Sequence, residues 1–173
     1  MAKAKTILIT GASSGIGAGM AREFAQKGYS LAICARRLER LEALKQELES
    51  QYGVKVIAKT LDVTDYDQVF EVFKAFQADF GTIDRIIVNA GVGEGRRIGK
   101  GNFAINKATV ETNFISALAQ CEAAVEIFRA QKFGHLVMIS SMSAMRGMPK
   151  HLTAYGASKA GVAHLAEGIR AEL

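Results

Sequence analysis

Short apolar runs that read as buried strands alternate with amphipathic helical stretches along the whole chain, and few architectures accept that order. Thr6, Ile7, Leu8 and Ile9 form the first run, followed at once by a glycine-rich turn over 11–17 and a helical stretch over 18–27. A second run, 31–34, leads into a helix over 37–52 with Leu38, Leu41, Leu44 and Leu48 on one face. Residues 54–60 read as a third strand. Thr64 and Asp65 can cap the next helix, whose apolar face carries Val69, Phe73, Phe76 and Phe80. A fourth strand at 85–88 turns off at Asn89-Ala90-Gly91, and the polar, glycine-rich stretch 91–102 reads as a surface loop. The pattern then predicts a helix over 109–130, a fifth strand at 135–139, a loop over 140–153 and a last helix from 154 onward. The connections are long enough for parallel crossovers, so the expected fold is α/β: a doubly wound parallel sheet with helices on both faces. No repeat or linker divides the 173 residues, which are expected to form a single domain. In such sheets ligands bind at the carboxyl ends of the strands.

Composition narrows the function classes. The net charge is +5, but the basic residues are scattered, and the densest group (Arg36, Arg37, Arg40) opens an amphipathic segment. No aromatic residues interleave with them, so no nucleic-acid partner is expected. No apolar run approaches the ~18 residues that span a bilayer, and Ile7 to Ile9 is too short for a secretory core. A cytoplasmic protein without membrane contact is expected. Cys34 and Cys121 sit in apolar segments without partner spacing and read as core thiols. His135, His151 and His164 form no pair at metal-ligand spacing, so no metal is expected.

The first turn reads Thr10-Gly11-Ala12-Ser13-Ser14-Gly15-Ile16-Gly17. Glycines after a strand let the chain turn sharply and let backbone N–H groups approach a pyrophosphate, while the helix start adds positive partial charge. Gly11, Ser13, Ser14, Gly15, Ile16 and Gly17 are therefore phosphate-binding candidates, although a plain tight turn would look similar. At the end of the second strand, where a carboxylate would bond an adenosine 2′-hydroxyl, the chain has Arg36 and Arg37. Guanidinium groups can pair with a 2′-phosphate, so NADP is favoured over NAD. The alternative is that both arginines are merely exposed at a helix start, where cations are unfavourable. Asp62 and Val63 could contact an adenine, or Asp62 could cap a helix.

Tyr155 and Lys159, four residues apart, share one helix face. A tyrosine titrates near ~10, and a neighbouring ammonium favours its phenolate, so the pair can act as a general acid/base. The ordered set Thr10-Gly11-x-x-x-Gly15-x-Gly17, Asn89-Ala90-Gly91, Asn113, Ser140-Ser141 and Tyr155-x-x-x-Lys159 closely resembles the short-chain dehydrogenase/reductase family of Rossmann-like oxidoreductases. The resemblance runs from Thr6 to the last residue.

The resemblance implies hydride transfer between a nicotinamide and a carbonyl or secondary alcohol. Tyr155 would exchange a proton with the substrate oxygen, Ser141 would hydrogen-bond that oxygen, and Lys159 would also bond the nicotinamide ribose. Asn113 would hold a water behind the lysine, and Asn89, Ala90 and Gly91 would line the cofactor pocket. The position usually held by the family's serine falls on Met142; of Ser140, Ser141 and Ser143 around it, Ser141 is chosen by the strand-end pattern Ile139-Ser140-Ser141, with a loop one residue longer, and the other two read as turn serines. The family usually continues past this helix into a sixth strand, a substrate loop and a seventh strand, so a C-terminally truncated chain is expected. A homodimer or homotetramer packed through 109–130 and the last helix is implied. A dinucleotide-binding module without turnover is the competing expectation, and the substrate itself is not legible.

Overall fold

The structure, a computed structural model, describes residues 5–148 and 151–173. Strands β1 (Thr6–Thr10), β2 (Ser30–Ala35), β3 (Val56–Thr60), β4 (Arg85–Val88) and β5 (His135–Met138) lie in one sheet of order β3-β2-β1-β4-β5. Every residue of β1 is buried, as expected for a central strand. It pairs in parallel with β2, Ile7 beside Leu31, and with β4, Ile7 beside Arg85; β2 pairs in parallel with β3. The chain thus winds outward from β1 to β3 and then returns to β4 on the other side. The strand order reverses between β1 and β4, the place where a doubly wound sheet opens at its carboxyl edge. This is the expected Rossmann-like fold.

Helices α1 (Gly15–Gln26), α2 (Leu38–Tyr52) and α3 (Tyr66–Phe80) carry the crossovers. Leu41, Leu44 and Leu48 of α2 are buried, as are Val69, Phe73, Phe76 and Phe80 of α3. Leu38 departs from the expected face and is 41% exposed. It is the first residue of its helix, and helical side chains lean toward the preceding turn, which here does not exist. Asp65 caps α3 by accepting from Gln68 N at 3.1 Å.

The larger correction concerns the helix expected over 109–130. It begins at Phe103 as α4 (Phe103–Val110), widens into a π-helical turn (Glu111–Ile115) and continues as α5 (Ser116–Gln131). The sequence concealed its start because the apolar pattern is inverted there. Asn106 and Thr109 are buried, while Phe103 is 78% exposed. The expected loop 140–153 contains a short 3-10 turn (Met142–Ala144), and α6 runs over Thr153–Glu172.

The described residues group into two compact units. One takes in residues 5–90 and 119–137. Its interior is apolar, with Ile7, Leu8, Ile9, Leu31, Ile33, Phe73 and Phe76 at most 1% exposed. The other takes in Gly91–Leu118 and the described part of Met138–Leu173. Its buried set is largely polar: Asn106, Thr109, Asn113, Ser143, Ser158 and Lys159. Cys34 and Cys121 are buried, and burial pushes both thiols up, that of Cys121 to about 12. Among the described residues no helix is long and apolar enough to cross a membrane, and no group of three His, Cys, Asp or Glu could hold a metal ion.

Candidate functional site

In the first unit the candidate residues gather at the carboxyl edge of the sheet. Thr10, the last residue of β1, ties that edge together. Its hydroxyl accepts from the backbone N–H groups of Asn89 and Ala90, both at 3.1 Å. In return Asn89 Nδ2 donates to Thr10 O at 2.9 Å. The glycine turn is packed against this clamp. Gly11 has φ +68°, and a Cβ there would lie 2.8 Å from Ala90 Cα. A Cβ on Gly17 would collide with Gly11 O. Gly11 and Gly17 are therefore bare backbone by necessity, and α1 starts inside the turn at Gly15.

Ser14 occupies the N-cap position of α1, yet its side chain caps no helix N–H. Ser13 and Ser14 hydroxyls instead accept from Arg37 Nη2, each at 3.1 Å. A guanidinium thus stands at the positive end of a helix, an arrangement an anion would relieve. Arg36 is exposed and bonds to no described residue. Ile16 is 66% exposed. Asp62 Oδ1 accepts from Thr64 N and Thr64 Oγ1 in the turn before α3, and Asp65 rather than Asp62 is the helix cap. Val63 is buried beside it.

The second unit holds Gly91, Asn113, Ser141, Tyr155 and Lys159. Lys159 is only 6% exposed, and burial holds its ammonium below the usual lysine range. It donates to Ile139 O at 2.9 Å. Ser140 Oγ donates to Lys159 O at 2.7 Å, fastening the end of the fifth-strand segment to α6. Gly91 has no side chain to spare: a Cβ there would lie 3.0 Å from Asn113 Oδ1 and 3.4 Å from Lys159 Nζ. Asn113 sits in the π-helical turn, a widening often found at functional sites. Its Oδ1 accepts from Val92 N at 2.8 Å, and its Nδ2 donates to Val92 O at 2.9 Å and to Ser158 Oγ at 3.2 Å. Both amide hydrogens are thereby committed to the chain. The phenol of Tyr155 is half-buried and bonds to no described residue. Ser141 Oγ accepts from Ser143 N at 3.2 Å and lies 2.9 Å from Ser143 Oγ, within hydrogen-bond distance.

Several residues of this arrangement escaped the sequence reading. Ser158 holds Asn113, while Thr10, Ser140 and Ser143, seen in sequence only as motif or turn residues, each fix a candidate residue or its neighbour. Asn106 and Thr109 continue what Asn113 begins. Asn106 bonds both backbone groups of Arg96, and Thr109 donates to Glu94 O. Polar residues at helical spacing, 106, 109 and 113, were the available signal.

Comparison with known proteins identifies the family and the fold. Residues 5–173 match the family described as short chain dehydrogenase. An uncharacterized oxidoreductase of Mycobacterium tuberculosis is 53% identical over 167 residues, covering 96% of this chain and 66% of the relative. The chain thus spans just under two thirds of that relative's length. An alcohol dehydrogenase from the archaeon Thermococcus sibiricus, complexed with 5-hydroxy-NADP, superposes with a TM-score of 0.92 at 30% identity, over 97% of this chain and 71% of its own. An NAD+-bound xylitol dehydrogenase superposes with a TM-score of 0.91 at 27% identity, over 98% of this chain and 65% of its own.

The buried ammonium has a stability signature. Its folded pKa lies below the unfolded value of ~10.4, so between the two the unfolded chain binds more protons and stability rises with pH. Denaturant unfolding of the parent and Lys159→Met across the alkaline range should show that rise in the parent and its absence in the variant. Parallel curves would contradict the burial of a charged lysine.

Proposed function

The chain belongs to the short chain dehydrogenase family, and on that premise we propose that the protein is an NADP(H)-dependent oxidoreductase acting on a carbonyl or secondary alcohol, with Tyr155 as its general acid/base. The observation that carries this reading is the uncommitted Tyr155 phenol one helical turn from a buried ammonium, with the serine turn fastened to the same helix.

When bound, a nicotinamide dinucleotide supplies the hydride that a carbonyl carbon accepts. The residues present suit such a group. Gly11, Gly15 and Gly17 keep the first turn open to an approaching phosphate, with Ser13, Ser14 and Ile16 beside them. Arg36 and Arg37 replace the carboxylate that would favour NAD, and their charge suits a 2′-phosphate. Asp62 and Val63 would flank the adenine. Asn89 and Ala90 would support the edge through the Thr10 clamp.

In the second unit, Ser141 would hold the substrate oxygen by a hydrogen bond. Tyr155 would give its hydroxyl proton to that oxygen as the carbonyl carbon is reduced. In the oxidising direction the phenolate would take the alcohol proton back. The Lys159 ammonium would supply positive charge beside the phenolate, and its reach is limited by the bond to Ile139 O. Asn113 would act as a positioning residue, holding the Gly91–Val92 backbone beside Lys159 and reaching Ser158 on α6. The Thermococcus sibiricus enzyme, complexed with an NADP derivative, supports the phosphorylated cofactor, whereas the xylitol dehydrogenase binds NAD+.

The test is NADPH consumption across a panel of aldehydes and ketones. The reading predicts turnover that falls by about a hundredfold or more in Tyr155→Phe, the contribution typical of a lost general acid. Tight NADPH binding with no turnover on any carbonyl would instead identify a silent dinucleotide-binding module. For the cofactor, Arg36→Asp should weaken NADPH binding and move preference toward NADH. Unchanged NADPH affinity would remove Arg36 from the 2′-phosphate site.

A further inference from the structure

Three serines follow β5 within five residues, and the structure gives each a different task. Ser140 anchors α6 through Lys159 O. Ser141 is extended, with φ −156° and ψ 155°, and precedes the 3-10 turn. Ser143 is 7% exposed, and its Oγ lies 2.9 Å from Ser141 Oγ. Its backbone N–H also reaches Ser141 Oγ, at 3.2 Å.

A hydroxyl has one proton and two lone pairs. The Ser143 N–H occupies one lone pair of Ser141. The contact between the two hydroxyls then decides what Ser141 can do. If Ser141 donated to Ser143, it would have no proton left for a ligand. A carbonyl oxygen carries no proton, so a hydroxyl that bonds it must donate. That requirement fixes the proton between the serines as the one on Ser143. We propose that Ser143 is a positioning residue: by filling the second lone pair of Ser141, it leaves Ser141 able only to donate, with its proton directed at the substrate oxygen. The inference rests on the reading of Ser141 as the substrate-binding serine.

The donor role is the same in both directions of reaction. In reduction Ser141 donates to the carbonyl oxygen. In oxidation the substrate proton leaves toward Tyr155, and Ser141 still donates to the same oxygen. Ser143 is well placed to enforce this, because it is buried and its backbone lies close against α6. Its carbonyl oxygen lies 3.1 Å from where a Cβ on Gly156 would stand, and Gly156 follows Tyr155 on α6. The serine turn therefore packs closely against the helix that carries Tyr155. Without the Ser143 hydroxyl, Ser141 would keep its backbone bond but lose the second constraint on its rotor.

Ser143→Ala retains the Cβ and the backbone N–H and deletes only the hydroxyl. In the full protein, it should lower kcat/KM for ketone reduction by about tenfold, the loss expected for one neutral hydrogen bond. The KM for NADPH should not change, and Ser143→Thr should restore turnover. In a Ser141→Ala background, Ser143→Ala should cost nothing further, since the group it orients is gone. A high-resolution crystal structure of Ser143→Ala should show the Ser141 side chain in more than one rotamer. If Ser141→Ala is impaired while Ser143→Ala matches the parent with a single Ser141 rotamer, Ser143 does not orient it. An equal loss from Ser143→Ala in the parent and Ser141→Ala backgrounds would mark a purely structural residue and overturn the inference. If Ser141→Ala itself leaves turnover untouched, the reading of Ser141 fails, and the role given to Ser143 fails with it.

Discussion

Taking an ammonium out of water costs several kcal/mol unless oxygen atoms replace the lost hydration. Lys159 is held in that condition, and much of the second unit is arranged around it. Ile139 contributes a carbonyl at 2.9 Å. Ser140 fixes the backbone of Lys159 itself, so the side chain leaves α6 from a set position. Gly91 contributes by lacking a side chain, and Asn113 pins the neighbouring peptide so that this gap is kept. Gly161 makes a further allowance on the same helix, where a Cβ would lie 2.9 Å from the Phe114 ring. A buried charge that is only partly compensated is poor as a structural device. On the proposed reading, its use is to serve the phenol of Tyr155, one helical turn away on α6.

The two units solve different problems with different materials. The first has an apolar core rich in branched and aromatic side chains, which supports the sheet edge at little polar cost. On that edge the chain needs only the Thr10–Asn89 clamp and a turn that carries no side chain at Gly11 or Gly17. The second unit is built on polar contacts from buried side chains. Asn106, Thr109 and Asn113 lie on one helical face and bond in turn to the backbones at 96, 94 and 92. The helix spacing of three and four meets the extended spacing of two, running in opposite directions. The stretch 91–102, polar and glycine-rich as it is, is therefore stitched down over its first half.

The sheet, its order of elements and the apolar faces of α2 and α3 were legible because burial there follows hydrophobic period, the strongest signal a sequence carries. The glycine turn, the arginine pair and the Tyr155–Lys159 spacing were legible because each depends on residues close in sequence. What failed to show depended on inversion or distance. Helix α4 was missed because it turns Asn106 and Thr109 inward and Phe103 outward, opposite to the pattern that marks a helix. The π-helical turn has no sequence signature that periodicity detects. Ser143 reads as one more turn serine, and only its 2.9 Å contact with Ser141 separates it from its neighbours. Asp62 illustrates the limit on the other side. Two roles were open to it from sequence, and its carboxylate is engaged by Thr64 while Asp65 takes the cap.

The central claim is that this chain's residues direct a hydride and a proton to the two ends of one carbonyl bond. Deuterium transfer tests it most directly. With NADPH labelled at the nicotinamide C4 position and a ketone that is turned over, the product alcohol should carry deuterium on its carbinol carbon. The rate of label transfer should collapse when Tyr155 is replaced by phenylalanine. Bound NADPH that never passes its label to any carbonyl, or transfer that proceeds at full rate without the phenol, would contradict the account.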